Sequence, residues 1–324
     1  MGIGVDRRIV PLYSLGAAAY IRRMKMMDVI WSGLRLCLLA GLLLSSSATM
    51  AQKKLAYALY DGATGKPLSY KKALKHLAKA EVVCFGELHN NAIAHWLQYE
   101  VLSDLLANRD TTQVRVGAEM FETDQQAALD AYLAGETDRK GFHEATKLWP
   151  NYDTDYDPVV RLCQEAGIPV IATNVPRRLA QQVARQGPES LDTLSSADKA
   201  LLVPLPYPID YDLPSYAAMR DMMGGHGGGM NMDFFIAAQA VKDATMAHFI
   251  LKHLPENGFF YHLNGSYHSD SKEGIVWYLR QARPELRVAN LTVVEQADVS
   301  KPEAEHLGKA DILIVVPETM TKTY

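Results

Sequence analysis

The sequence predicts an α/β fold, a mostly parallel central sheet covered by helices on both faces and carrying a Pro/Gly/Met-rich insertion. Three observations predict it: short apolar runs recur along the chain, helical periodicity fills the spaces between them, and polar residues follow the runs directly. Continuous apolar runs suit strands buried on both faces, and parallel strands need a crossover, usually a helix, between them.

Residues 82–85 read as the first buried strand. Ile93, Trp96, Leu97, Val101, Leu102 and Leu105 then recur at three to four residues, the spacing of one helical face. A second strand is expected over 114–121, a helix over 124–133 ending near Gly135, and another over 159–166 stopped by Gly167. Strand three covers 170–175, with Pro176 opening the next helix, because proline lacks only an N–H that a first turn leaves unused. Asp233 is the expected cap of a long helix whose face carries Phe234, Ala237, Val241, Ala244, His248 and Leu251. Strand four is 259–263, a helix covers 271–281, and late strands cover 288–294 and 312–316.

The region 188–232 breaks this rhythm. Prolines stand at 188, 204, 206, 208 and 214, followed by Gly224, Gly225, Gly227, Gly228 and Gly229. Most connections span about four to six residues, so this stretch reads as an insertion or lid.

Arg22, Arg23 and Lys25 precede an apolar stretch over 34–44, and small residues follow to Ala51. That order of positive flank, apolar segment and small residues is a secretory signal, so 1–51 are set apart from a single domain at 52–324. Export to the periplasm, or association with an outer membrane, is the expectation. Cys37 follows Arg35-Leu36 rather than small residues, so its context does not support a lipid anchor. The body keeps Cys84 and Cys163, each within an apolar pattern, where a thiol behaves as a small hydrophobe.

At 48% hydrophobic and 22% charged, the composition is globular and excludes a disordered or collagen-like chain. Lys plus Arg number 33 against 37 Asp plus Glu, and the body from 52 onward is more acidic still, which disfavours nucleic acid as a partner.

Ligands of open parallel sheets gather beyond the carboxyl ends of the strands. Here strand one ends in Gly86-Glu87-Leu88-His89, strand two carries Glu119, strand three ends in Asn174, and strand four ends in Asn264-Gly265-Ser266-Tyr267-His268. Gly-x-x-His thus occurs at two strand ends. Two imidazoles with Glu87 and Glu119 could bind a divalent metal or carry out acid–base chemistry, while loop histidines that merely bond backbone are the plain alternative. His95, and His248 on its apolar helix face, carry less weight.

The segment 219–232 gathers five methionines and His226. It lacks the Gly-Lys-Ser/Thr ending of a phosphate loop. Thioether and imidazole suit haem iron or copper, and methionine equally suits an adaptable apolar surface. Tyr207, Tyr211 and Tyr216 precede it, and tyrosinate is a ligand for ferric haem.

Phe85-Gly86-Glu87-Leu88-His89-Asn90, Gly117-Ala118-Glu119-Met120-Phe121 with Asp124-Gln125-Gln126, Ala172-Thr173-Asn174-Val175-Pro176-Arg177, and Gln239, Asp243 and Met246-Ala247 after the glycine–methionine segment resemble the ChaN-like haem-binding uptake family. The resemblance spans about residues 78–280 and extends to Tiki and erythromycin-esterase-like folds. It implies an exported protein that takes part in haem or iron uptake and binds haem cofacially across a homodimer. A tyrosine would meet the iron, basic or imidazole groups the propionates, and an outer-membrane uptake protein is the implied partner.

Tyr207, Tyr211, Tyr216 and His226 are the candidates for haem, with a dimer interface near 205–232. In metalloprotease relatives the paired histidines and a glutamate hold a divalent metal, and the matching positions are His89, His268, Glu119 and Glu87. The alternative to haem binding is therefore a metal-dependent hydrolase using those residues, with Glu87 and Glu119 as its catalytic carboxylates. The second motif departs from the family's Gly-Asn-Gly-His by reading Gly265-Ser266-Tyr267-His268. A plain binding module for a cell-surface partner is the third expectation.

Overall fold

A computed structural model describes residues 54–224 and 231–324; the expected signal segment 1–51 and His226 lie outside the described residues. In chain order the elements are β1 (Ala58–Asp61), α1 (Tyr70–Leu77), β2 (Val82–Glu87), α2 (Ala92–Leu106), β3 (Val114–Glu122), α3 (Gln126–Leu133), α4 (Arg139–Ala145), α5 (Asp157–Ala166), β4 (Val170–Asn174), α6 (Arg177–Gln186), α7 (Ser196–Lys199), α8 (Pro214–Gly224), α9 (Met232–His253), β5 (Phe259–Gly265), α10 (Ile275–Ala282), β6 (Val288–Gln296) and β7 (Ile312–Pro317). The strands form one sheet in the order β1-β7-β6-β2-β5-β3-β4. Every pairing is parallel except that of β1 with β7.

Strand β2 shows why the fold is layered. All six of its residues are buried. Val83 and Phe85 pack with Leu97, Val101 and Leu102 of α2 and with Val159 and Cys163 of α5. Val82 and Cys84 point the other way, against Ala244, Ala247 and Ile250 of α9 and Ile275 and Leu279 of α10. A strand apolar on both pleat faces is stable only between two helical layers, which is the expected α/β architecture. Cys84 and Cys163 are buried free thiols, and burial pushes both up to about 12.

Local signals mostly hold, with shifts at the ends. Asn91 caps α2, its side-chain oxygen accepting from the N–H groups of Ile93 and Ala94. Gly167 ends α5 in the left-handed region at φ 65°, which costs glycine little. The long helix α9 is capped by Asn231 rather than the expected Asp233, whose N–H instead donates to the Asn231 side chain. Elements β1, α1 and α4 lie where the sequence reading placed none. The 271–281 helix starts four residues later, at Ile275, because a 3-10 turn occupies Asp270–Lys272.

The 188–232 stretch is less irregular than its prolines suggest. It holds a 3-10 turn at Pro188–Thr193, α7 and α8. Leu191 and Leu202 pack against α6 and α9, and Leu213 and Tyr216 pack against Ile236 and Ala240. Widely spaced apolar anchors bind it to the body, a pattern without helical period. Among the described residues no helix is long and apolar enough to cross a membrane.

After β2 the chain moves to β3 and β4 on one side, returns to β5 beside β2, and then crosses to β6 on β2's other side. The change of direction opens a crevice at the carboxyl ends of β2, β5 and β6.

Candidate functional site

The floor of this crevice is a row of alternating carboxylates and imidazoles. Glu87, the last residue of β2, places Oε1 2.8 Å from His89 Nδ1. Next along the row is Glu119, delivered by an irregularity in β3: pairing with β4 runs in register to Ala118, then resumes only at Glu122 opposite Asn174. Its Oε2 accepts the Gly265 N–H at 2.7 Å, and its Oε1 lies 3.3 Å from His268 Nε2. His268 Nδ1 in turn lies 2.5 Å from Asp243 Oδ1 on α9, and Asp243 Oδ2 accepts from the Tyr216 hydroxyl at 2.8 Å.

Glycine is required between the two halves. A Cβ on Gly265 would lie 2.7 Å from His89 Cε1 and 2.9 Å from its Nε2. The strand end can therefore carry no side chain while His89 stays bonded to Glu87.

Electrostatics follow from this packing. Burial alone would hold His268 neutral, but Glu119 and Asp243 outweigh it and raise the group to about 10. Burial alone would likewise favour a neutral Glu119; His268, His89 and the Gly265 N–H instead hold it well below the usual carboxylate range. His89 is also raised, burial being overcome by the hydrogen bond to Glu87 and the charge of Glu119. At neutral pH the centre of the row is thus a buried carboxylate–imidazolium pair.

A second layer fixes the first. Tyr156 donates to Glu87 Oε1 at 2.6 Å, and Gln98 donates to Glu87 Oε2. Burial pushes the Tyr156 and Tyr216 phenols well up, so both stay protonated donors. Asn151 donates to the His89 carbonyl at 2.9 Å and to Asp155, which also lies 3.3 Å from His95 Nε2.

Over the row lies a cleft of about 900 Å³, walled by Met219, Phe235 and Val293 and reached by His89, His268, Tyr267, Tyr324 and Lys309. His89 is 39% exposed into it. Tyr267 is 63% exposed, unusual for a large aromatic beside a buried turn.

The structure brings together Glu87, His89, Glu119 and His268, the four strand-end residues singled out in the sequence. It does not bring Tyr207, Tyr211 and Tyr216 to the cleft surface. Tyr216 is buried with its hydroxyl committed to Asp243. Tyr207 packs among α9, α10 and the insertion with its oxygen enclosed, and Tyr211 packs beside Leu213 and Ile236. Among the described residues, the phenols lining the cleft are those of Tyr267 and Tyr324. His95, which carries less weight in the sequence, is buried and bonded on both nitrogens, so it supports the site rather than facing the cleft. Gln98, Asn151, Asp155 and Tyr156 carried no signal, since only the folded chain brings them to Glu87 and His89. For Asp243 the available signal was a carboxylate on a helix otherwise facing the core with alanine and valine.

The model of the family described as haem-binding uptake, Tiki superfamily, ChaN matches residues 73–279. Among solved structures the chain is similar to ChaN of Campylobacter jejuni with haem bound cofacially, at 18% identity and a TM-score of 0.61, covering 80% of this chain and 96% of that one. More distant are a Bacillus cereus protein (11% identity, TM-score 0.46, 76% and 90% covered) and an erythromycin esterase in an open conformation (12%, 0.44, 80% and 82%). No curated protein matches the chain significantly.

Proposed function

This chain belongs to the haem-binding uptake family of the Tiki superfamily, ChaN, and from that premise we propose that it binds haem in the cleft over β2, β5 and β6. The observation that carries this reading is the cleft itself. Its volume of about 900 Å³ lies within the range of small-molecule sites, and a few polar groups converge on an otherwise apolar wall. Haem is a flat apolar disc with an electrophilic metal and two carboxylates. Phe235, Met219 and Val293 suit the disc, and the exposed phenol of Tyr267 and imidazole of His89 suit the iron. Export, cofacial pairing of two copies and delivery to or from an outer-membrane uptake protein complete the proposal.

Ferric haem titrated into the purified protein is expected to give a shifted Soret band saturating near one haem per chain, with a monomer-to-dimer change in sedimentation. A flat titration at micromolar haem overturns the reading.

The acid–base row supports a second reading, hydrolysis. Glu87 bonds His89 at Nδ1, which leaves Nε2, beside Gly265, as the nitrogen for proton transfer. A divalent metal on His89, His268, Glu119 and Glu87 is the metal-dependent form of that reading. Ligands of one zinc ion bind at about 2 Å, which brings their donor atoms within about 4 Å of one another. Among the described residues, the group whose donor atoms all lie within 4.8 Å of one another is Glu303, Glu305 and His306 instead. The row therefore fits proton transfer better than ion binding as it stands. Absence of stoichiometric metal after native purification would remove the metal-dependent form, and unchanged hydrolysis in His89→Ala would remove the general base.

A further inference from the structure

Beyond β7 the chain stays on the fold. The Glu318 N–H donates to the Gln296 carbonyl of β6 at 3.1 Å, and the residues that follow cross the carboxyl edge of the sheet from β6 to the turn after β2. There Lys322 forms an antiparallel bridge with Asn91, and the Thr323 N–H donates to the Asn90 carbonyl at 3.0 Å. Glu295 Oε1, near the end of β6, accepts from both Lys322 and the Asn91 side-chain amide. Tyr324 then stands in the cleft wall with Asn90. Residues 318–324 lie past position 279, so the family match does not reach them.

The hydroxyl of Thr323 reaches deeper, donating to Asp155 Oδ2 at 2.6 Å. Asp155 is buried. The same oxygen accepts from Asn151 Nδ2 at 2.6 Å and lies 3.3 Å from His95 Nε2, while Oδ1 accepts from the Thr154 hydroxyl. Asn151 and His95 have a second task. Asn151 Nδ2 donates to the His89 carbonyl at 2.9 Å, and His95 Nε2 lies 3.1 Å from it. The Asn151 amide has two hydrogens, one for each oxygen, but His95 Nε2 has a single N–H facing two acceptors. That N–H is contested between the Asp155 carboxylate and the His89 carbonyl. A buried carboxylate is costly when short of donors and draws in those within reach. By meeting that demand, the Thr323 hydroxyl leaves the His95 N–H to the His89 carbonyl.

We propose that Thr323 is a positioning residue for His89, acting through Asp155, and that residues 322–324 form a strap that fixes the β2 side of the cleft. The inference rests on the reading of His89 as a group that meets the ligand of the cleft. His89 is held at its ring by Glu87 and at its backbone by Asn151 and His95, and its ring packs over Gly265 with no side chain between them. A turn released at the carbonyl lets the ring tilt away from that contact. Groups that meet a ligand have to be held within about 0.5 Å of their productive place, so a small release is felt at the ligand.

The test compares Thr323→Val, which keeps the shape and the backbone N–H but loses the hydroxyl, with Thr323→Ser, which restores it. In the purified, ligand-free full chain, a nuclear Overhauser contact between the His89 ring and the Gly265 Cα protons is expected in wild type, reduced in Thr323→Val and restored in Thr323→Ser. Ferric haem is expected to bind Thr323→Val about two- to tenfold more weakly, as one lost hydrogen bond implies, with an altered Soret band, and to bind Thr323→Ser as it binds wild type. Where wild type binds haem, a ring contact or a haem affinity that Thr323→Val leaves at the wild-type value overturns the positioning role, as does a loss that Thr323→Ser fails to restore. Where wild type binds no haem but the ring contact still follows the Thr323 hydroxyl, the haem reading falls and the positioning of His89 stands.

Discussion

Glu119→Ala is expected to lower the melting temperature by roughly 10 °C, more than any other single change in the crevice. The carboxylate stands between two imidazoles and accepts a backbone N–H, with almost no access to water. Removing one partner of a buried pair leaves the other charge uncompensated, at about 3–5 kcal/mol. For a domain of this size each kcal/mol moves the midpoint by roughly 2–4 °C. Glu119→Gln retains an acceptor for the Gly265 N–H and should recover part of the loss, which separates lost charge from lost packing. His268 reports the same event independently: its pKa should fall toward the ordinary histidine value in either variant, followed by NMR of the imidazole protons. A melt within about 2 °C of wild type, with His268 still titrating near 10, would show that Asp243 alone holds the imidazolium.

That Glu119, Glu87, His89 and His268 were legible in the sequence has a physical basis. Each follows or ends an apolar run, and the carboxyl edge of a parallel sheet is where such residues must converge. The structure gives Gly265 a reason the sequence did not show: a Cβ there would meet the His89 ring. The supporting residues were not legible, since their partners are distant in sequence. Tyr156 reaches Glu87 across 69 positions and Thr323 reaches Asp155 across 168. Where the insertion's tyrosines lie was not legible for a related reason. Tyr207, Tyr211 and Tyr216 stand beside a segment rich in methionine and glycine, but Leu191, Leu202 and Leu213 anchor that region to α6 and α9, and the hydroxyls of Tyr207 and Tyr216 are enclosed. Tyr267 lies within the second Gly-x-x-His motif, but nothing in the local pattern shows that its ring leaves the fold while its neighbours enter it. The missed strand β1 is four residues long and pairs antiparallel at an edge, too short for alternation to register.

The second large expected effect is a stability profile that falls steeply above about pH 6.5. His268 is raised from the ordinary 6.5 to about 10, so the stability from its protonated form is fully present below 6.5 and is lost as pH climbs to 10. A shift of that size corresponds to something on the order of 5 kcal/mol across the window. His89, also raised, adds to the same loss. On the acid side several lowered histidines oppose one raised carboxyl. His262 is lowered to about 4 by burial in the sheet, so its contribution is present above 6.5 and is lost as pH falls toward 4. Asp270, raised to about 6 by burial, binds its proton more tightly when folded and therefore adds stability as pH falls from 6 toward 3.8. His248, His253 and His306, also lowered by burial, add to the His262 loss, so Asp270 offsets only part of it, and below about 4.5 the loss of Glu119, whose folded value is depressed, takes over. Asp270→Asn tests the offset: with the carboxyl gone, the histidine slopes stand unopposed and denaturant midpoints should decline more steeply from pH 6.5 to 4 than in wild type. Asp243→Asn tests the alkaline limb, because His268 with one carboxylate partner removed should titrate lower and flatten the fall above 6.5. Midpoints that stay constant from pH 6.5 to 9.5 in wild type would mean that His268 is not held as an imidazolium in the folded protein.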